Sequence, residues 1–385
     1  MRLAFDAKRA FQNHTGLGHY SRTLITSLAK DFPQHEYYLM APKRTSLFQY
    51  ADLKDVFTVT PTGIAKNFKA LWRSNWVVTD LKKLRINLYH GLSHEIPVGI
   101  NKAGINSVVT IHDLIFERYP QQYNAIDVNI YRKKFRYACT HADKIIAISE
   151  QTKRDIMQFY EIPADKISVC YQSCNPAFQQ AIAEEELLRI KNTYSLPDKF
   201  FLYVGSVIER KNLLTIVKGL VRLKGKLDIP LVVIGNGKKY LKQVKEFISQ
   251  NGLQKQVIFL SEAPSINNDP GFKNSTDFPA IYQLATAMIY PSIFEGFGIP
   301  VLEALWSRLP VITSNSSCLP ETGGDAAYYI DPLSEEEMAD AMYRVAIDET
   351  LRNSMITSGL QQAQKFTPGK CAAAVMSIYR EIVKG

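Results

Sequence analysis

Two periods alternate along this chain. Short, nearly continuous apolar runs bounded by Gly, Pro, Asn or Asp alternate with longer stretches whose apolar residues return at three- and four-residue steps. The runs predict strands at residues 3–7, 37–42, 57–61, 87–89, 107–111, 144–149 and 167–171, then at 200–204, 231–234, 257–260, 287–290, 310–314 and 328–330. The stepped stretches predict helices: one follows Gly18 (Tyr20, Leu24, Ile25, Leu28), one covers 68–84, and one is capped by Ser149. Others cover 184–192, 213–223, 239–250, 299–309, 335–347, 351–366 and 372–383, while 278–284 leads into the strand at 287–290. Apolar runs that alternate with helices indicate parallel sheets covered on both faces. The periodicity lapses over 173–199, around Asn175-Pro176 and Pro197, and resumes at Phe200. This divides the chain into domains at 1–178 and 179–367, with a final helix at 368–385 whose Ala372, Val375, Tyr379 and Val383 share one face.

A length of 385 residues suits two cores rather than one, and an apolar content of 46% suits a globular protein. No apolar run approaches a membrane span, and Asp6, Lys8 and Arg9 fall where a signal peptide needs apolar residues, so a cytoplasmic protein is expected. The five cysteines form no C-x-x-C pair and read as reduced thiols. The net charge of +9 is uneven: residues 1–178 hold 24 Lys and Arg against 15 Asp and Glu, which is the whole excess. All seven histidines lie there too. A basic half points to an anionic partner such as a membrane surface, a lipid phosphate or nucleic acid, or else to a solvated basic face. Lys66, Lys69, Arg73, Lys82, Lys83 and Arg85, with Arg132, Lys133, Lys134 and Arg136, form two basic stretches containing aromatics that could rest on anionic lipid headgroups. No recognised nucleic-acid motif interleaves them.

Candidate chemistry concentrates where the strand at 287–290 meets Pro291. The loop beyond it carries Glu295, Gly296, Phe297 and Gly298, and a helix opens at Ile299 with Pro300 in its first turn. On this reading Glu303 stands in the first turn, off the apolar face, and Arg308 in the last. Unpaired helix amides seat an anion, and two carboxylates accept hydrogen bonds from paired hydroxyls. A nucleotide sugar has both features; a solvated Glu295 with a dipole-complementing Glu303 is the plain alternative. Arg210 and Lys211, between the strand at 200–204 and the next helix, can clamp a diphosphate or simply line a turn. Residues 8–19 read as a loop that brings Gly16 and Gly18 toward a ligand or makes an ordinary turn. His112 follows a strand end, the ligand edge of an open α/β sheet, although a buried, hydrogen-bonded histidine would read the same way. His90 and His94 have metal-ligand spacing, but Gly91 and Ser93 oppose a helix and no third ligand is evident.

The segments EGFGIPVLEA and PVITSNSSCLPETGGDAA, together with the RKN and HD segments, resemble the E-x7-E pattern and flanking motifs of retaining glycosyltransferases of family 4. The resemblance covers nearly the whole chain. It implies a GT-B fold, two facing Rossmann-like domains with parallel sheets and a cleft between them, the last helix crossing back to the first domain. It further implies that Arg210 and Lys211, with Gly16 and Gly18, meet the donor diphosphate and that Glu303 binds ribose. Glu295 and the loop Gly296, Phe297, Gly298 and Ile299 then hold the sugar, and His112 lines the reacting centre. One departure stands out: many members place an arginine directly after the strand glycine, where this chain has Ser206. No Asp-x-Asp motif is present to hold a metal, and no cofactor is expected.

The expected activity is therefore transfer of a hexose, mannose favoured, from a nucleoside-diphosphate sugar (GDP or UDP) to a saccharide or lipid-linked acceptor. The setting implied by the resemblance is surface polysaccharide or lipopolysaccharide synthesis, on the inner face of the cytoplasmic membrane. Two other classes stay in view: a non-catalytic nucleotide-sugar-binding protein, and a nucleic-acid-binding protein using the basic half. A dehydrogenase is disfavoured because the first βα turn lacks the three-glycine fingerprint.

Overall fold

A computed structural model describes residues 1–266 and 269–384. Asn267 and Asn268, within the polar segment 264–277, and Gly385, at the end of the expected last helix, lie outside the described residues. The chain divides into two compact units. The first is Met1–Cys174 together with the segment from Phe366 onward, and the second is Asn175–Lys365.

The first unit is built on seven strands: β1 (Arg2–Asp6), β2 (Glu36–Met40), β3 (Val56–Val59), β4 (Leu88–Gly91), β5 (Asn106–Ile111), β6 (Lys144–Ala147) and β7 (Ile167–Val169). They are all parallel, in the order β3-β2-β1-β4-β5-β6-β7, with Leu3 opposite both Tyr37 and Leu88. β1, β4 and β5 are almost wholly buried because helices cover both faces, which is why their sequences run apolar without alternation. The order reverses between β1 and β4. Ligands of open α/β sheets gather beyond the strand C-termini at such a switch point.

One face of this sheet is closed by the helix Gly16–Asp31 and by Pro368–Lys384 from the far end of the chain. Ala372, Val375, Met376 and Tyr379 are buried there among Leu3, Phe5, Ile25 and Leu28, and Val383 packs against the same cluster.

Three local features depart from the sequence pattern. Residues 8–12 are helical rather than loop, and the next helix opens at Gly16, so Gly16 and Gly18 lie in its first turn. The expected helix over 68–84 is broken into Lys69–Leu71, a π-turn Trp72–Trp76 and the helix Val77–Lys83. Trp72 turns inward across the break, buried, and its indole donates to Asp80 at 2.7 Å. The helix Ala125–His141 was not legible at all: its exposed side carries Ile126, Ile130 and Tyr131, which blurs the apolar face.

The second unit has β8 (Phe201–Val204), β9 (Leu231–Ile234), β10 (Val257–Phe259), β11 (Ala287–Tyr290), β12 (Val311–Ser314) and β13 (Ala327–Ile330). All are parallel, in the order β10-β9-β8-β11-β12-β13, so this sheet reverses between β8 and β11. Leu213, Ile216, Val217 and Leu220, on the helix Leu213–Arg222, pack over the sheet with Met338, Met342 and Val345. The helix after β11 spans Ile299–Trp306. Glu303 is therefore in its second turn, not its first. Arg308 lies beyond the C-terminus in the left-handed region (φ 58°), not in the last turn.

Candidate functional site

In the second unit the switch point is occupied by charge. β11 ends at Tyr290, and Pro291, which has no N–H to donate, releases the chain into the loop 292–298. That loop is pinned on both sides. Ser316 Oγ donates to the Ile293 carbonyl at 3.0 Å, Glu295 N–H to Ser317 Oγ at 3.1 Å, and Thr322 Oγ1 to the Phe297 carbonyl. The loop closes at Gly298, whose φ of 96° a side-chain-bearing residue rarely adopts and where a Cβ would stand 2.8 Å from Leu319 Cδ2. Pro300 then fixes the first helical turn.

Glu295 Oε1 is the focus of this arrangement. It accepts from Tyr290 OH at 2.9 Å and Ser292 Oγ at 2.9 Å, and faces Arg210 Nη1 at 2.9 Å and Lys211 Nζ at 3.6 Å. Arg210 also donates to the Phe294 carbonyl, and the Arg210 carbonyl accepts from Ile293 N–H at 2.8 Å. Lys211 Nζ donates to Tyr290 OH at 2.9 Å and lies over that ring. Burial alone would raise the Glu295 carboxyl, but Lys211 and Arg210 outweigh it and hold the group below the usual range, ionised. Expected as a pair on one diphosphate, the two cations thus converge on a carboxylate of the chain itself.

Glu303 lies close by and differs in state. Its Oε2 accepts from Tyr282 OH at 3.0 Å, and burial lifts its carboxyl to about 7 against the opposing pull of Tyr282 and Lys211. At neutral pH this acid is poised between donor and acceptor, the condition in which a hydroxyl-bearing ligand can set its charge.

The remaining candidates belong to the first unit. His112 follows β5, buried, with Nε2 donating to the Leu92 carbonyl at 2.9 Å. Burial lowers it to about 4, so the ring is neutral at pH 7 and Nδ1 keeps a lone pair for a hydroxyl donor. Tyr20 meets it edge-on at 4.7 Å, which places the glycine turn beside the histidine. Gly18 is required by a close approach: a Cβ would stand 1.9 Å from the Asn13 carbonyl oxygen, whereas Gly16 faces open space.

His90 is a core residue with both ring nitrogens engaged, one with Tyr379 OH and the other with Thr110 Oγ1 at 2.8 Å. His94, at φ 65°, stacks on Phe135 at 4.3 Å.

Tyr290, Ser292 and Tyr282, which set the two acids, were not singled out from the sequence. Ser292 carried a signal, being three residues before Glu295 directly after a strand; the tyrosines read only as apolar strand and helix residues.

Comparison with known proteins covers both units. Residues 14–178 match the family model described as Glycosyltransferase Family 4, and residues 184–362 the one described as Glycosyl transferases group 1. O-antigen chain mannosyltransferase B of Escherichia coli is 25% identical over 311 residues, 80% of this chain and 77% of that protein. Serotype-specific mannosyltransferase WbdA of Escherichia coli is 25% identical over 287 residues, which is 72% of this chain; the match spans about a third (34%) of that longer protein. Among solved structures, a glycosyltransferase from Rickettsia africae superposes with a TM-score of 0.73 at 19% identity, over 100% of this chain and 98% of that one.

Proposed function

The chain belongs to the glycosyltransferases of family 4 and group 1, with the GT-B fold, and from that membership we propose that it transfers a hexose, with retention, from a nucleoside-diphosphate sugar. The observation that carries this reading is the convergence of Arg210, Lys211 and Glu295 at the β8/β11 switch point, with Glu303 alongside. In the bound state Lys211 and Arg210 meet the diphosphate, Glu303 takes the ribose hydroxyls, and Glu295 with the amides of 296–299 takes the sugar. Gly16 and Gly18 belong to the diphosphate side of the same reading. His112 offers a neutral imidazole acceptor to a sugar hydroxyl.

The step breaks the bond between the anomeric carbon and the phosphate oxygen and forms one to the acceptor oxygen on the same face. The acceptor's proton passes to the departing diphosphate. Charge grows on that leaving group, and the cations and loop amides stabilise it without reorganising.

Mannose is the favoured sugar, carried as a GDP or UDP derivative, because the relatives above are named as mannosyltransferases. The name O-antigen chain mannosyltransferase B supports a saccharide acceptor in O-antigen assembly; a lipid-linked acceptor and a place in lipopolysaccharide synthesis are part of the same proposal. Work at the inner face of a cytoplasmic membrane fits the exposed Ile64, Phe68, Leu71 and Trp76 interleaved with Lys66 and Lys69. Among the described residues no helix is long and apolar enough to cross a membrane.

Incubation with GDP-, UDP-, ADP- and dTDP-sugars, followed by thermal shift and by product analysis with an acceptor, tests the reading. One donor should stabilise the protein and release its nucleoside diphosphate, and the product should keep the anomeric configuration. Binding with no release under any condition would leave a non-catalytic sugar-nucleotide protein instead.

A further inference from the structure

A line of polar side chains runs through the core of the first unit and stops at His112. It begins on the last helix, Pro368–Lys384, where Tyr379 OH meets His90 Nδ1. His90 Nε2 lies 2.8 Å from Thr110 Oγ1, and Thr110 Oγ1 lies 3.1 Å from Tyr20 OH. Tyr20, on the helix Gly16–Asp31, then meets the His112 ring at 4.7 Å. Two helices, β4 and β5 thus contribute to the line, and Tyr20, His90, Thr110 and Tyr379 are all buried.

Such a line is costly to keep in a core. Leu3, Phe5, Leu88 and Val108 belong to the same cluster, and a hydroxyl or imidazole buried among apolar groups is tolerated only with its partners in place. Burial lowers His90 to about 3, so at pH 7 its ring is neutral, with one N–H to give and one lone pair to receive. Tyr379 and Thr110 take up both. Each hydroxyl in the line has a single proton, so displacing one member re-aims the next.

The consequence falls on His112. Its Nε2 donates to the Leu92 carbonyl at 2.9 Å, which fixes one atom of the ring but not its plane. The plane is set by the rings that bear on it, Tyr20 at 89° and His94 at 69°. His94 is anchored by its backbone, whose N–H donates to the Thr110 carbonyl at 2.9 Å, and Tyr20 by its hydroxyl on Thr110 Oγ1. Thr110 therefore supports both rings, and the line behind Tyr20 ends on the last helix.

We propose that Tyr20 is a positioning residue for the His112 imidazole, and that its hold is set through Thr110 and His90 by Tyr379. This rests on the transferase reading for its purpose, since there His112 accepts from a sugar hydroxyl, but the positioning itself can be measured without turnover. The last helix then does more than cover a sheet face, because it fixes the aim of a ring it does not touch.

The experiment uses the full chain, first without ligand. Long-range proton–nitrogen correlation spectra report both imidazole nitrogens of each histidine, and His112→Gln assigns the His112 signals by their loss. Tyr20→Phe and Thr110→Val, which delete a hydroxyl and keep the shape, should each move those signals, and Tyr379→Phe should move them too. Thr110→Ser, which keeps the hydroxyl, should leave them near the wild type. Tyr37→Phe is the control: it deletes a buried hydroxyl that donates to the Leu28 and Phe32 carbonyls, outside the line, and should not move them. With donor and acceptor present, Tyr20→Phe should lower kcat about tenfold and change the donor KM by less than about twofold. Adding Tyr379→Phe to it should cost nothing further, because both act on one ring.

His112 signals that ignore Tyr20→Phe and Thr110→Val, or that move as far with Tyr37→Phe, would overturn the positioning. So would signals unmoved by Tyr379→Phe, which would cut the last helix out of the line, or losses in kcat that simply add. The expected shifts in a chain that transfers no sugar would uphold the positioning and defeat the transferase reading, so the two failures stay apart.

Discussion

Within EGFGIPVLE the two acids meet opposite surroundings: Arg210 and Lys211 hold Glu295 ionised, while burial lifts Glu303 to about 7. Their substitutions should therefore behave differently. Glu295→Ala strands a buried guanidinium and should cost about 3 kcal/mol in a urea unfolding experiment, besides abolishing transfer. Glu303 works with the opposite sign. Its folded value lies above the ordinary 4.5, so the folded state holds the extra proton and is favoured at low pH. Stability of the ligand-free protein should fall as pH rises from about 4.5 through about 7, and Glu303→Gln should flatten that slope. If the ionised acid is the ribose partner, donor affinity should rise between about pH 6 and about pH 8 in the wild type and stay flat in the glutamine variant.

At this scale the motif acids and the paired cations could be read from the sequence, because short spacings and charge are written in it. The hydroxyls of Tyr290, Ser292 and Tyr282 could not be assigned, since their roles depend on which strand end and helix face come together.

Elements differ in how openly they declare themselves. β9 and β11 have the bounds their apolar runs suggest, because a strand buried on both faces leaves no polar residue to blur them. The helix Lys239–Gln250 likewise begins and ends where its period does. The break at Trp72–Trp76 was hidden for the converse reason. Phe68, Trp72 and Trp76 keep helical spacing, but only Trp72 is buried, while Phe68 and Trp76 remain outside. The same applies to Ala125–His141, whose exposed apolar residues conceal the buried stripe of Val128, Phe135, Ala138 and Cys139.

The junction of loop 292–298 with its helix depends on one backbone conformation. Gly298→Ala should lower stability by about 1 kcal/mol or more, and should weaken donor binding by displacing the amides of 297–299. Thermal unfolding with and without donor separates the two effects.

For the whole molecule, the uneven charge becomes sharper when counted by structural unit. The first unit, with its carboxy-terminal helix, has 27 Lys and Arg against 16 Asp and Glu; the second has 19 against 21. The final helix thus belongs to the basic unit in charge as well as in packing. A chain ending at Lys365 lacks Ala372, Val375, Met376 and Tyr379, so the first unit should lose its cooperative unfolding transition while the second keeps its own. Calorimetric scans of the shortened and full chains check this.

Tyr379 reaches His90 across a sequence separation of 289 residues. A ribosome must therefore make all of the second unit before it supplies the last wall of the first. Domains ordinarily mature in the order in which they emerge. Here the later one can settle first, while the earlier waits with one face of its sheet uncovered, open to a chaperone until translation has nearly passed the final helix.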